Sequence, residues 1–442
     1  MRISVFCVKG LFGEFDYEFN IKPDQNIFLL TGPNGYGKTT ILRIVKELSR
    51  KNLYFFYLLP FKEIRIEFEN DDELSIIAEE LSGKIDASVS DTEISKDREL
   101  TFKWLQKGHL VASLLLNKSV VQKALAHYDA RFTFRYQKRL HDYDEEMWLQ
   151  EGESKQLYIS KMIEDQNPGQ FFLFLSGMSV RMLPSSRLSN TRYNEVRDIS
   201  VSEPTIEDVS DRLKKLLEEY YYSYLKTVNN SNSGVFDKLL RNQTPISKEE
   251  YEAEVAELSS RLLQLYEWGL SSEKNIRPYV DEHKDVMTVY IQELKNNLTV
   301  YQDVYDKLLL FTELLEDKKF VNKKISFTPK DGLTARNRSG VKIDLKRLSS
   351  GEQHEIIMLY YSIFGVGRNS MLLIDEPENS LHVAWQLKYY QEMETIANKL
   401  GIQVIIATHS PQIIGERWDE CYDLYDAMMG HGEFDTDSTS EK

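Results

Sequence analysis

The stretch Gly32–Thr39 has the residue types and spacing of a phosphate-binding loop. It reads GPNGYGKT and fits the pattern Gly-x-x-x-x-Gly-Lys-Ser/Thr without a mismatch. Glycines let backbone N–H groups turn toward phosphate oxygens, and a helix that begins at the loop directs its positive end at the same anion. We expect Lys38 to reach the β- and γ-phosphates of ATP, Thr39 to bind Mg²⁺, and Thr40 to donate to the α-phosphate. The other predicted nucleotide ligands in the loop are Gly32, Asn34, Gly35 and Gly37.

Two adjacent carboxylates, Asp375 and Glu376, follow the apolar run Met371–Ile374. Such a run predicts a buried parallel strand, and ligands in parallel sheets bind beyond the carboxyl ends of the strands. We expect Asp375 to bind Mg²⁺ through water, because this ion prefers oxygen ligands. Glu376 would point the other way and accept a proton from the attacking water as a general base. Two exposed acids at a strand end are the simpler alternative.

A histidine follows the next predicted strand. His409 lies in Ala407–Ser410, which comes directly after the apolar run Val404–Ile406. An imidazole at that position can hydrogen-bond a γ-phosphate and hold the attacking water. A structural role is the alternative, but the position of His409 one strand after the acidic pair favours catalysis.

The surrounding sequence predicts the elements that position these groups. Asn26–Leu30 predicts a buried strand that ends in the phosphate loop, Thr40–Leu48 has helical spacing, and Val383–Leu400 is a helix between the two later strands. This alternation of strands and helices indicates the α/β class. Other segments predicted as strands are Arg2–Phe6, Phe12–Phe19, Ile64–Phe68, Leu74–Ile77, Phe171–Leu175 and Val180–Leu183.

A central segment, about 204–319, carries apolar residues at helical spacing. The stripes lie within 206–224, 255–266 and 294–308, and each would bury one face of a helix against a neighbour or a partner. The polar run Asn229–Gly234 predicts a break, so one long coiled coil is excluded. A helical bundle is the simplest interpretation.

The run Leu348–Gln353, LSSGEQ, precedes a predicted helix that begins near His354. It resembles the LSGGQ signature of ABC-type ATPases, in a form common among SMC-like and OLD-like proteins. The phosphate loop, this run, the acidic pair and His409 follow one another in the order of that family. The resemblance implies an ABC-type P-loop ATPase head, a mixed sheet with flanking helices, interrupted by an α-helical insertion. It also implies that the signature of one subunit caps the γ-phosphate bound by another, which adds as ligands Ser349, Ser350, Gly351 and Glu352.

Two features depart from the pattern of ABC transporters. The loop Glu378–His382 ends in His382 where transporters carry an aspartate, a form that resembles OLD-like ATPases and argues against a transporter subunit. The family's Q-loop glutamine has no clear counterpart, since Ser186–Leu188 resembles a Gln-Arg-Leu segment with serine in the first place. Whether Ser186 replaces that glutamine stays open, and Arg187 is equally a structural or a nucleotide-proximal candidate.

A narrower resemblance rests on the runs Leu348–Tyr361, Ile374–Gln386 and Ile405–Asp419. They resemble SMC-like ATPase subunits of bacterial antiphage systems, PARIS foremost and Septu or retron-linked systems next. This resemblance implies a homo-oligomer, a dimer of heads at least and up to a hexamer. It would respond to a phage-encoded trigger protein and control a separately encoded nuclease of TOPRIM or HNH type. The chain after His409 is too short for a nuclease domain. We therefore expect this subunit to sense the trigger and hold the nuclease, and not to cleave nucleic acid itself.

Composition and charge restrict the function classes. The chain has 55 Lys and Arg against 70 Asp and Glu, a formal net charge of −15, and a pI of about 5.2. DNA binding is therefore possible but not favoured, because phosphate neutralisation needs clustered cations. Cys7 and Cys421 lack metal-ligand or disulfide spacing. A signal peptide and a long apolar run are both missing from the sequence, so we expect a cytoplasmic protein with no membrane span.

Two other functions compete with a defence ATPase. Long coiled-coil arms with a Cys-x-x-Cys hook would favour an SMC-like DNA-repair ATPase, and the central segment has neither. The long separation of Lys38 from Ser349 disfavours a transporter subunit. The predicted domains are a first ATPase lobe at 1–203 with 86–170 unassigned, a helical insertion at 204–320, a second lobe at 321–427 and a flexible tail at 428–442.

Overall fold

The chain divides into two compact units, Met1–Glu203 together with Gly365–Lys442, and Pro204–Phe364. The second unit therefore contains the signature run as well as the helical segment. The predicted Q-loop residues Ser186 and Arg187, and the tail from 430 onward, lie outside the described residues. The computed structural model describes residues 1–80, 98–136, 145–184, 205–240, 244–318, 320 and 322–429.

Strands and α-helices are numbered in chain order within this described part. The strands are β1 Ile3–Leu11, β2 Phe15–Asn20, β3 Ile27–Thr31, β4 Glu63–Phe68, β5 Asp72–Glu80, β6 Arg98–Gln106, β7 His109–Leu116, β8 Val180–Leu183, β9 Lys323–Thr328, β10 Gly332–Asn337, β11 Lys342–Ile343, β12 Met371–Asp375, β13 Gln403–Ala407 and β14 Cys421–Asp423. The helices are α1 Lys38–Ser49, α2 Leu53–Leu58, α3 Lys118–Tyr136, α4 Glu145–Gln166, α5 Gln170–Ser176, α6 Ile206–Leu240, α7 Lys248–Glu267, α8 Lys284–Leu298, α9 Gln302–Asp317, α10 Ser350–Ile363, α11 Val383–Leu400, α12 Pro411–Ile414 and α13 Leu424–Met429. Across these described helices, none is both long enough and apolar enough to cross a membrane.

A parallel sheet in the first unit contains the apolar strands that the sequence predicts. Its order is β14-β3-β13-β12-β8, and every neighbouring pair is parallel. Strands β3, β12 and β13 are buried along their whole length, as is typical of strands covered on both faces. The predicted strands at 26–30, 371–374 and 404–406 and the predicted helix at 383–400 are confirmed.

An antiparallel sheet in the same unit has the order β2-β1-β4-β5-β6-β7. Strands β6 and β7 and helices α3 and α4 come from the stretch 86–170, which the sequence left unassigned. The predicted strands at 64–68 and 74–77 are confirmed as parts of β4 and β5. Parallel and antiparallel sheets with flanking helices confirm the predicted α/β class.

One hydrophobic core joins the two sheets of the first unit. Phe19 of β2 stacks on Phe6 of β1 and on Phe28 of β3, with ring centroids 5.0 and 4.7 Å apart. Beside this core, the buried amide of Gln403 donates to the carbonyl of Ile3 and accepts from its N–H, both at 2.8 Å. Gln403 therefore bridges β13 and β1 while both polar groups of its amide are paired.

Two predictions about aromatic residues are wrong. The run Phe171–Leu175, predicted as a strand, is helical within α5. Leu173 is exposed while its neighbours on both sides are buried, a helical pattern that an unbroken apolar run cannot signal in advance. Phe12, predicted to continue a strand, lies in the turn between β1 and β2 with a φ of 55°.

The second unit is mostly helical, as its apolar spacing predicts. Helices α6, α7, α8 and α9 are followed by an antiparallel sheet of order β11-β10-β9 and by α10. The apolar stripe of α6 is buried, with Val209, Leu213 and Leu217 fully shielded from solvent. Packing of such faces supplies most of the stability of helices in folded proteins.

The predicted break at Asn229–Gly234 is wrong, because α6 continues through this run to Leu240. Contacts with α8 compensate for the weak helix formers. The hydroxyl of Ser231 donates to Asn297 at 3.2 Å, and Lys238 pairs with Glu293. Tertiary packing therefore overrides local propensity here.

Gly332, the first residue of β10, packs closely against α6. Its φ is +65°, and a Cβ there would lie 2.6 Å from the hydroxyl and 2.8 Å from the carbonyl oxygen of Ser210. We expect Gly332→Ala to lower the free energy of unfolding by roughly 2–5 kcal/mol, through left-handed backbone strain plus overpacking. Denaturant titration followed by circular dichroism measures the loss.

Gly340→Ala is the matched control for this substitution. Gly340 has a φ of +79°, but a Cβ there would meet nothing within 4 Å. Only the backbone strain remains, so we expect a loss of about 1–2 kcal/mol. Equal losses in the two variants would contradict the steric argument.

Candidate active site

The carboxyl ends of three parallel strands meet at one edge of the sheet. Strand β13 lies between β3 and β12, and the register pairs Leu30 with Ala407 and Ala407 with Asp375. The residues that follow the strands are therefore level with one another. The structure brings together the phosphate loop after β3, Glu376 after β12 and His409 after β13.

The phosphate loop turns on glycines with a left-handed backbone. Gly32 has a φ of +138°, and a Cβ there would lie 3.0 Å from a side chain of α13. Gly37, with a φ of +89°, directly precedes α1. Other residues rarely adopt these conformations. Asn34 and Gly35 are exposed on the loop, and Thr40 is half-buried in the first turn of α1.

An aromatic cluster supports the loop. Tyr36 packs against Phe15 and Tyr425, with ring centroids 5.7 and 5.9 Å apart, and its carbonyl accepts from the hydroxyl of Tyr17 at 2.9 Å. Burial raises the pKa of Tyr17 well above its ordinary value, so this hydroxyl stays a donor. Side chains of β2 and α13 therefore fix the shape of the loop.

Lys38 is buried at the base of the loop, with 4% of its surface exposed. Its ammonium donates to the carbonyls of Gly32 and Pro33 at 2.8 and 3.1 Å. Burial lowers the pKa of Lys38, while the carboxylates of Glu376 and Asp375 raise it. The cation is therefore held among acids, directly beneath the loop that would enclose phosphates.

Thr39 and Asp375 are in direct contact, although they are far apart in the chain. The Thr39 hydroxyl lies 3.1 and 3.0 Å from the two carboxylate oxygens of Asp375, which is buried. A hydroxyl and a carboxylate are the kind of ligands that Mg²⁺ takes, with waters and phosphate oxygens completing its coordination. The two residues therefore fit the predicted Mg²⁺ site.

Glu376 has a left-handed backbone, with φ 44° and ψ 61°, which is uncommon for a residue with a side chain. Its N–H donates to the carbonyl of Ala407, and Asn379 donates to its carboxylate, both at 2.8 Å. Such conformations persist only where neighbours hold them, and they cluster at active sites. The contacts of Glu376 therefore fix its carboxylate beside Asp375, the candidate Mg²⁺ ligand.

His409 faces Glu376 across a gap. Its Nε2 lies 3.6 Å from Oε1 of Glu376, beyond ordinary hydrogen-bond length. This buried nitrogen has no hydrogen-bond partner among the residues that the structure describes. The 3.6 Å between the two atoms is too short to hold a water between them, so pairing Nε2 with a water or a phosphate oxygen requires one of the two side chains to move.

Sequence reasoning missed Glu378, which connects the loops after β12 and β13. Its carboxylate accepts from the hydroxyl of Thr408 at 2.9 Å and from the N–H of His409 at 2.6 Å. Gln386 makes a second connection, because it accepts from the hydroxyl of Ser410 at 2.7 Å. A single acid in a loop gives only a weak sequence signal, since most such charges are solvated.

Phe12 is a second missed residue. Its ring is 43% exposed, and its Cε2 would lie 3.7 Å from a Cβ placed on Gly37. The backbone is anchored, because the N–H of Phe12 donates to the carbonyl of Pro60 at 2.9 Å. The ring offers a flat apolar surface beside the phosphate loop.

The signature run lies in the second unit, at the start of α10. Ser349 caps this helix: its hydroxyl accepts from the N–H of Glu352 at 3.3 Å, and its N–H donates to the Glu352 carboxylate at 2.8 Å. Lys323 donates to both oxygens of Glu352 at 2.7 Å. Burial raises the pKa of Glu352, but the hydrogen bonds from Lys323 and Ser349 outweigh burial and lower it.

These contacts separate the predicted signature ligands into two groups. Glu352 is buried and engaged within its own unit, so its contact with a nucleotide stays a prediction. Ser349 and Ser350 are exposed and Gly351 is half-buried at the helix N-terminus. These three residues are accessible to a phosphate from outside.

Comparison with known proteins decides the family. The profile of the family described as AAA ATPase domain matches residues 1–414. The chain belongs to the AAA ATPase domain family. This AAA ATPase is also similar to solved SMC head domains, and comparison with curated proteins finds no significant match.

Two of these structures illustrate the similarity. One is the Smc head domain with an extended coiled coil bound to the C-terminal domain of ScpA from Pyrococcus furiosus, which is 11% identical with a TM-score of 0.34. The alignment of the two structures covers 93% of this chain and 91% of that chain. The other is the SMC head domain from Thermotoga maritima, which is 10% identical with a TM-score of 0.30, over 95% of this chain and 92% of that chain.

We expect Glu378→Ala in this AAA ATPase to lower kcat for ATP hydrolysis by about tenfold or more, because the N–H of His409 and the hydroxyl of Thr408 lose their acceptor. The Kd for ATP should change by less than about threefold, since the carboxylate of Glu378 hydrogen-bonds Thr408 and His409 and acts on Lys38 only through its charge. Phosphate release and nucleotide titration measure the two quantities.

Glu378→Gln is the control, because it keeps one acceptor oxygen and should lie between the wild type and Glu378→Ala. An unchanged kcat in Glu378→Ala, with the fold intact, would show that the position of His409 does not depend on this carboxylate.

Proposed function

We propose that the chain binds and slowly hydrolyses ATP at the edge formed by β3, β13 and β12. The observation that carries this proposal is the contact of Thr39 with Asp375 beside the buried ammonium of Lys38. A glycine loop alone accounts for phosphate binding. A buried carboxylate on the threonine hydroxyl adds a metal ligand, and Glu376 and His409 add groups that act on water.

The chain's own residues have distinct roles in the proposed reaction. Lys38 exchanges the loop carbonyls for oxygens of the β- and γ-phosphates. Thr39 and Asp375 would hold Mg²⁺, which would neutralise charge on the phosphates. Glu376 takes a proton from the attacking water, and Nε2 of His409 fixes that water or the phosphate beside it. In addition, the exposed ring of Phe12 provides a surface on which adenine stacks.

We further propose that two copies of the chain close around ATP. The support is the accessible N-terminus of α10, where Ser349, Ser350 and Gly351 would meet the γ-phosphate bound by another copy. The ion pair of Lys323 with Glu352 holds this end of the helix firmly. ATP would then stabilise an assembly, and its hydrolysis would loosen it.

The biological role that we propose is a sensor and scaffold of an antiphage system in the bacterial cytoplasm. The support is the resemblance of the signature, acidic and histidine runs to ATPase subunits of such systems. In this role the oligomer responds to a phage-encoded trigger protein and controls a separately encoded TOPRIM or HNH nuclease. The strongly acidic composition disfavours direct work on DNA.

We expect Glu376→Gln to lower kcat by about 100-fold or more while ATP still binds, because the base is lost but the phosphate and metal ligands remain. An additional, ATP-dependent association should then accumulate when ATP and Mg²⁺ are added, measured by light scattering after size exclusion as a rise in mass over the nucleotide-free sample. Lys38→Ala is the control, since it removes the phosphate cation and should abolish both ATP binding and this rise in mass. Unchanged turnover in Glu376→Gln would contradict its assignment as the base.

The antiphage role makes a genetic prediction. We expect a nuclease gene of TOPRIM or HNH type beside the gene for this chain, and the pair together should protect a bacterial host from phages. Plaque counts measure protection, which Lys38→Ala should remove. A solitary locus whose deletion sensitises cells to DNA damage would instead favour a DNA-repair ATPase.

A further inference from the structure

Helix α6 carries an exposed apolar stripe on the side opposite its packed face. Tyr222, Phe236 and Leu240 are 66%, 70% and 69% exposed, and Leu225 is 37% exposed. At about 100° per residue, these four side chains fall within an arc of roughly 60°. The stripe spans about 27 Å along the helix, at a rise of about 1.5 Å per residue.

The packed face of α6 lies on the other side of the helix. Leu213, Leu217 and Tyr224 are buried, and Ser231 and Lys238 bond to residues of α8. By the same helical spacing, these residues lie about 160–220° around the helix from Tyr222. The stripe is therefore not an edge of the internal core of the second unit.

The character of the outward face changes along the helix. Closer to the N-terminus of α6, the corresponding positions are Asp211, Lys215 and Glu218, all of them charged. Charged residues on the outer face of a helix are typical of contact with water. In the second half, the outward residues Tyr222, Leu225, Phe236 and Leu240 are apolar, with the polar Asn229 exposed between the two pairs, which indicates a surface that another protein covers.

The stripe is arranged almost symmetrically about position 231. Tyr222 and Leu240 lie nine positions before and after it, and Leu225 and Phe236 lie six before and five after. When two copies of one helix pack antiparallel about a two-fold axis at its midpoint, each residue meets its mirror position in the other copy. The stripe therefore matches itself: Tyr222 meets Leu240, and Leu225 lies within reach of Phe236.

The charges beside the stripe fit the same arrangement. Lys226 and Asp237 are both exposed, and both lie on the same flank of the stripe, about 40–60° from Tyr222. They lie five positions before and six after position 231. In the antiparallel pair, Lys226 of one copy comes opposite Asp237 of the other, and this happens twice by symmetry.

We propose that the second half of α6 is a self-association surface, on which a second copy of this chain docks antiparallel through the stripe Tyr222, Leu225, Phe236 and Leu240. Two exposed aromatic and two exposed leucine side chains per copy bury roughly 1,000 Å² in total, which is the lower limit for a biological interface and typical of a weak, reversible contact. This contact needs no nucleotide. Combined with the proposed ATP-dependent contact, it would let dimers join into a larger closed assembly.

Sedimentation velocity on the full chain without nucleotide tests the proposal. We expect a monomer–dimer equilibrium, and Phe236→Glu with Leu240→Glu should raise its dissociation constant by about tenfold or more. Leu173→Glu is the matched control, because Leu173 is a leucine of similar exposure, 73%, that belongs to α5 and not to α6, and it should leave the constant unchanged. Circular dichroism and thermal melting confirm that each variant is folded.

A charge exchange tests the antiparallel register. Lys226→Glu and Asp237→Lys should each weaken the dimer by about threefold to tenfold, because each places like charges opposite one another. The double variant should recover wild-type association. If the double variant is as weak as the single ones, the proposed register is overturned.

Two further results would overturn the proposal of a second copy on α6. A chain that stays monomeric without nucleotide up to about 100 μM, or a dimer that the stripe substitutions leave unchanged, overturns a second copy as the occupant. Lys38→Ala should retain the nucleotide-free dimer, so loss of this contact and loss of the ATP-dependent contact are observed separately.

Discussion

The register of three parallel strands is the constraint on which the candidate site depends. Leu30, Ala407 and Asp375 are level in β3, β13 and β12, so the loops that follow these strands begin at the same height. A shift of one residue would move each strand's side chains to the opposite face and separate the threonine from its carboxylate.

Around this edge, the chain buries several charged side chains. Neighbouring groups of opposite charge or hydrogen-bond partners offset the cost of their burial. Lys38 loses hydration, which lowers its pKa, and the acids after β12 restore part of the preference for the charged form. Glu378 is paired with a hydroxyl and an N–H of the neighbouring loop, and Glu376 is held in a left-handed conformation by its neighbours. A site of this kind is organised before a ligand arrives, so little rearrangement is needed at the moment of reaction.

In the second unit, ion pairs and a helix cap organise the first turns of the signature helix α10 in a similar way. Lys323 and the capping box fix the first turn of α10 through Glu352. One turn further, Glu355 forms a buried ion pair with Lys318. Burial still raises the pKa of Glu355, although Lys318 acts in the opposite direction. Buried pairs of this kind add little net stability but penalise other packings strongly, because a partner left alone would be a buried unpaired charge.

The sequence by itself predicted the chemistry of the site and determined its local frame. The spacing of Gly32–Thr39 required a phosphate loop, and apolar runs before Asp375 and His409 required buried parallel strands, because both are rules of local pattern. The order of the sheet, with β13 between β3 and β12, follows only from long-range pairing, and so does the contact of Thr39 with Asp375. The roles of Glu378 and Phe12 could not be predicted from the sequence, because they come from neighbours that are distant in the chain. For the same reason, α6 passes through a run that predicted a break: its packing against α8 outweighs the propensity of a few polar residues.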